Sequence, residues 1–128
     1  MNAKILLIED NEQNRYLTTF LLEARGHEVV HAKHGRDGIE LAKQHSPALI
    51  LLDIQLPEMD GYAVARALRA IPALMQVPIV AVTSYAMAGD REKALAAGCN
   101  GYLEKPIDPD TFGPVVESFL RPAGREPG

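Results

Sequence analysis

The chain has no tryptophan, one cysteine (Cys99), four tyrosines and three phenylalanines among its 128 residues. A lone cysteine excludes an internal disulfide and a paired-thiol redox centre, and it points to a reducing, cytoplasmic setting. No apolar run approaches the roughly 20 residues that cross a bilayer. The start, Met1-Asn2-Ala3-Lys4, lacks a signal-peptide layout. Basic charge is also short, with 13 Lys and Arg against 17 Asp and Glu, a net charge of −4. The basic residues are scattered, which excludes a phosphate-backbone footprint and so nucleic-acid binding. His27, His31, His34 and His45 have no metal-ligand spacing and are expected at the surface.

What the chain does have is a series of short apolar runs ending on polar residues. Lys4-Ile5-Leu6-Leu7-Ile8 runs into Glu9-Asp10, Ala48 to Leu52 ends on Asp53, and Pro78 to Val82 ends on Thr83. Such runs read as strands buried on both faces of a parallel sheet. Glu28 to Ala32 and Tyr102-Leu103-Glu104 read as two shorter strands, the last stopping at Lys105-Pro106.

Between the strands, apolar residues recur at helical spacing. Asn11 caps a first helix with Leu17, Phe20, Leu21 and Ala24 inward, closed by Arg25-Gly26. A second helix spans about Gly35 to His45 and stops at Ser46-Pro47. A third runs from Gly61 to Ile71, where Pro72 closes it. Met87 to Ala97 is a weak helix with Leu95 its only large aliphatic residue. Asp108-Pro109 opens a fifth, striped by Phe112, Val115, Val116 and Phe119. Pro114 cannot donate to the Asp110 carbonyl and predicts a late start or a kink. The alternation gives an α/β fold, a doubly wound five-stranded parallel sheet with five helices in three layers. Residues 1–121 form the domain, and 122–128 a loose tail.

A carboxylate ending a buried strand is costly for folding and natural for a site. Ligands of open parallel sheets bind beyond the carboxyl ends of the strands. In the flavodoxin-like order 2-1-3-4-5, strands one and three lie side by side at the switch point. Glu9, Asp10 and Asp53 then share a pocket flanked by Thr83 and Lys105. Three carboxylates this close raise the pKa of at least one of them unless a cation intervenes. All-oxygen ligation with room for water favours Mg²⁺. A metal and an ammonium beside a carboxylate make a phosphoryl receptor. Asp53 would be the nucleophile, Lys105 would neutralise charge, and the Thr83 hydroxyl would bond a phosphoryl oxygen.

Glu9-Asp10, Asp53 with Pro57 and Gly61, Thr83, and Lys105-Pro106 fall in order across Lys4 to Leu120. Together they resemble the receiver domain of two-component response regulators. The resemblance implies that Glu9, Asp10, Asp53 and the backbone carbonyl of Gln55 hold Mg²⁺. It implies phosphorylation of Asp53 by a histidine kinase or a histidine phosphotransfer protein. Thr83 then turns toward the phosphoryl group, and Tyr102, the switch aromatic, swings inward. A downstream protein is expected on the face of helix four, strand five and helix five, with no nucleic-acid or membrane partner. A monomer or weak dimer is expected, with no enzymatic activity beyond self-dephosphorylation. The loops at Asp53 and Thr83 look most similar to stand-alone, cell-cycle-type receivers and to receivers of hybrid kinases. Gln55 and Tyr85 depart from the chemotaxis pattern, and the bulk of Tyr85 is expected to slow loss of phosphate.

Each residue alone has a plainer reading. Asp10-Asn11 can cap a helix, Asp53 can cap a turn, Thr83 can end a strand, Lys105 can be a solvated loop lysine, and Tyr102 can be packing. Four separate strand ends would have to carry these groups by accident, and that reading fails. An aspartyl-phosphate phosphohydrolase resembling the haloacid dehalogenases wants a second acid two residues after its nucleophile, where Gln55 stands. A flavin carrier wants a phosphate-binding loop after strand one, where Glu9-Asp10-Asn11-Glu12 would repel a phosphate. A receiver cut from a hybrid histidine kinase is the alternative origin.

Overall fold

Unbroken runs of Leu, Ile and Val leave a strand no polar face to turn to water. In the computed structural model, β3 (Leu49–Asp53) and β4 (Ile79–Thr83) are accordingly buried at all five positions. The structure describes residues 2–56, 59–84 and 88–120. β1 (Lys4–Ile8), β2 (Glu28–Ala32) and β5 (Gly101–Glu104) complete a parallel sheet of order β2-β1-β3-β4-β5, as the flavodoxin-like reading expects. Register does the positioning. Ile8 stands opposite Leu52, so Glu9 and Asp53, each one step further on, leave the sheet side by side.

Alternate strand residues feed two cores, one on each face of the sheet. Leu6, Ile8, Ile50 and Leu52 pack beneath α2 (Gly35–His45), α3 (Gly61–Arg69) and α4 (Asp90–Ala96). Ile5, Leu7, Leu49 and Leu51 pack beneath α1 (Glu12–Glu23) and α5 (Phe112–Phe119).

The helix faces differ from the sequence reading in places. α1 turns Thr18 and Leu22 inward and leaves Tyr16 and Phe20 exposed, with their rings stacked 6.5 Å apart. The apolar spacing was satisfied by two faces, and the one carrying Leu22 won. In α4 the buried residue is Ala94, while Leu95 is 48% exposed. A small side chain lets this short helix lie close to the sheet. α3 ends two residues early, and a 3-10 turn at Pro72–Leu74 buries Leu74.

α5 does start late, at Phe112, and Pro114 is its third residue. First-turn amides have no intrahelical carbonyl to reach, so the missing N–H costs nothing there. Gly61 opens α3 where a Cβ would collide with the backbone of Ile54, and its N–H bonds the Ile54 carbonyl at 3.1 Å. That contact folds the loop after Asp53 back onto the strand. Pro57, Tyr85, Met87 and the tail lie outside the described residues.

Candidate functional site

Glu9 is held in place by the start of α1. The N–H of Asn11 donates to Glu9 Oε2 at 3.2 Å, while Asn11 Oδ1 caps the helix by accepting from the Asn14 N–H at 2.8 Å. Arg15, one turn into α1, donates from Nη1 to the Glu9 carbonyl at 3.0 Å. Asp53 Oδ1 accepts the Gln55 N–H at 2.9 Å, which tightens the turn leaving β3. Lys105 is brought in from the far side. Its N–H donates to the Thr83 carbonyl at 2.8 Å, its peptide bond to Pro106 is cis, and its Nζ reaches Glu9 Oε1 at 2.9 Å and Asp53 Oδ2 at 3.6 Å.

The structure therefore brings Glu9, Asp10, Asp53 and Lys105 together, from the ends of β1, β3 and β5. One carboxylate oxygen from each of Glu9, Asp10 and Asp53 lies within 4.8 Å of the others. Glu9 and Asp53 are each only 3% exposed, whereas Asp10 faces solvent. Burial, then a hydrogen bond shared with Asp53, pushes the Glu9 carboxyl up to about 7, against the pull of Lys105. One ammonium does not balance this acidic cluster, so Glu9 gives up its proton less readily than a free carboxyl does. Buried carboxylates grouped around an open, solvent-facing acid fit a hard, partly hydrated cation such as Mg²⁺.

Thr83 ends β4, 2% exposed, and Gln55 connects it to the loop after Asp53. Gln55 Nε2 donates to Thr83 Oγ1 at 2.6 Å, and Gln55 Oε1 accepts the Ser84 N–H at 3.2 Å. Sequence reasoning cited Gln55 for its backbone carbonyl and missed what its side chain does, because no periodicity marks such a residue. Arg15 was missed for the same reason.

Tyr102 lies on β5, half-buried against the α2–α3–α4 core, with the Arg91 guanidinium 6.0 Å from its ring centre. Its hydroxyl is buried without a well-formed hydrogen bond, yet near enough to Asp90 to feel that charge. Burial first, then Asp90 and Glu104, hold its pKa above the usual tyrosine value.

His27 is a correction. It was expected at the surface and is buried, its Nδ1 accepting the Ala3 N–H at 3.1 Å and its Nε2 meeting Glu117 Oε2 at 2.8 Å. The signal was its place at the entry of a strand, where a polar ring can satisfy the neighbouring backbone.

A family model for the response regulator receiver domain matches residues 5–117. The polar-differentiation response regulator DivK of Brucella ovis is 40% identical over 120 residues, covering 94% of this chain and 98% of that one. The receiver domain of sensor histidine kinase PA1611 from Pseudomonas aeruginosa, solved with magnesium in its active-site cleft, is 34% identical. It aligns with a TM-score of 0.85 over 94% of this chain and 98% of its own. The chemotaxis protein CheY4 of Vibrio cholerae is 26% identical with a TM-score of 0.88, covering 93% of this chain and 99% of that one.

Proposed function

The chain belongs to the response regulator receiver domain family, and on that premise we propose that it accepts a phosphoryl group on Asp53 and signals through protein contact. The observation that carries this reading is the meeting of Glu9, Asp10 and Asp53 around the Lys105 ammonium. The donor is a phosphohistidine on a kinase or phosphotransfer protein. An Asp53 carboxylate oxygen attacks phosphorus in line, forming the acyl phosphate as the bond from phosphorus to the imidazole nitrogen breaks. The imidazole leaves with that electron pair. Glu9, Asp10, Asp53 and the Gln55 carbonyl would hold Mg²⁺, which would supply positive charge to the phosphoryl oxygens. Lys105 adds a second positive charge, and the Thr83 hydroxyl bonds a phosphoryl oxygen.

The partner surface in this reading is α4, β5 and α5, with Tyr102 moving further inward once Thr83 has turned. The half-buried Tyr102 ring already packs against the core that it would enter more deeply. The group is transferred once per chain, so the protein is a switch rather than an enzyme, and it works in the cytoplasm as a monomer or weak dimer. Residues 1–121 form the receiver and 122–128 its tail. Similarity to the receiver of a sensor kinase keeps a second reading open, a receiver serving within a hybrid kinase.

Intact mass after incubation with a small phosphodonor and Mg²⁺ tests the reading. Wild type should gain one phosphoryl group, while Asp53→Ala and a chelated sample should gain none. An adduct on Asp53→Ala would overturn it.

A further inference from the structure

Gln55 is the one side chain among the described residues that hydrogen-bonds both Thr83 and Ser84 at the end of β4, while its own N–H is held by Asp53. The orientation of its amide follows from chemistry. Ser84 offers a backbone N–H, which can only donate, so Gln55 Oε1 must face it and Nε2 must face Thr83 Oγ1. The Ser84 N–H is a single donor, committed to one acceptor.

A phosphoryl group on Asp53 brings three acceptor oxygens to this edge of the sheet. The neighbouring donors at the end of β4 are the Thr83 hydroxyl and the N–H of Ser84, the residue after the strand. At Ser84 the competition is for the donor itself, since its N–H must release Gln55 Oε1 to reach a phosphoryl oxygen. At Thr83 it is positional, since a turn toward the phosphoryl group carries Oγ1 away from Gln55 Nε2, now 2.6 Å off. We propose that the Gln55 side chain is a latch that competes with the phosphoryl group for the end of β4, holding Thr83 and Ser84 in the unphosphorylated arrangement. It acts through those two residues as a positioning residue. The inference rests on Asp53 being the acceptor.

Competition has a direction. A ligand shifts a two-state switch only by the difference in its affinity for the two states, and removing a latch removes part of that cost. Gln55 is exposed, so water competes for both bonds and the shift is modest, about threefold to fivefold.

The test uses beryllofluoride, a phosphoryl mimic that does not turn over, titrated into the full chain at saturating Mg²⁺ for each variant. Gln55→Met keeps the length and apolar stem of the side chain and removes both hydrogen bonds. It should bind beryllofluoride about threefold to fivefold more tightly than wild type. In the free protein, the amide resonances of Thr83 and Ser84 should move toward their positions in the beryllofluoride complex. In a Thr83→Ala background, the gain from Gln55→Met should shrink, because half the latch is already gone. Equal or weaker binding by Gln55→Met, with wild type binding normally, overturns the latch and leaves the receiver reading standing. A wild type that binds no beryllofluoride overturns the reading on which the latch rests.

Discussion

The Lys105 ammonium sits closer to Glu9, at 2.9 Å, than to Asp53, at 3.6 Å. The lysine thus pairs with Glu9 before Asp53, and in the proposed reading a metal that neutralises Glu9 would free it for the phosphoryl group. Lys105→Ala should therefore keep the fold and weaken beryllofluoride binding about tenfold or more, measured by titration at saturating Mg²⁺. Unchanged binding would place the lysine in a purely structural ion pair.

The exposed member of the acidic cluster gives a cleaner view of the metal. Among the described residues Asp10 makes no hydrogen bond or ion pair to Glu9, so Asp10→Asn should fold normally while Mg²⁺ affinity falls about tenfold. Calorimetric titration checks this, since the chain has no tryptophan to report binding.

On the opposite side of the sheet, Glu117 in α5 accepts from Arg25 at 2.7 and 2.8 Å and meets the buried His27 at 2.8 Å. The hydrogen bond from Arg25, helped by that from His27, holds the Glu117 carboxyl down at about 2, against burial, which is the second-largest effect and raises it. A depressed folded pKa contributes stability that is present above the ordinary carboxylate range and is lost as pH falls toward 2. Wild type should exceed Glu117→Gln by about 1–2 kcal/mol at neutral pH, a figure reduced because the carboxylate is partly exposed and screened by salt. The gap should close as pH drops from 4.5 to about 2, read by denaturant unfolding.

Arg69 ties down the end of the sheet away from the site. Its guanidinium donates to the carbonyls of Gly98, Leu74 and Val77 at 2.8, 2.9 and 2.7 Å and to Asn100 Oδ1. Arg69→Met keeps the alkyl stem and strands these acceptors, so it should lower unfolding free energy by about 2 kcal/mol. Beryllofluoride affinity should not move, because the hydrogen bonds of Arg69 among the described residues go to Gly98, Leu74, Val77 and Asn100 and not to Asp53, Thr83 or Lys105.

The strand cores were legible because burial on both faces forces an unbroken apolar run, and the acidic cluster was legible because a strand-terminal carboxylate has no folding reason to be there. Helix faces were harder. Phe20 suits an inward stripe as well as Leu22 does, and only tertiary packing leaves Phe20 exposed while Leu21 and Leu22 pack on the core. Side-chain reach was harder still. That Gln55 bridges to Thr83, His27 to Glu117 and Arg69 to Asn100 depends on rotamers and on separations of 28, 90 and 31 residues, which no local pattern records.

The central claim is that Asp53, and no other group in the cluster, carries the phosphoryl group. Borohydride reduction of the phosphorylated chain converts an aspartyl phosphate into homoserine at the modified position, and peptide fragmentation then locates it. The account predicts homoserine at Asp53 alone, in samples that contained Mg²⁺. Reduction at Asp10 or Glu9, or a phosphoryl group that survives at a histidine while Asp53 stays intact, would contradict it.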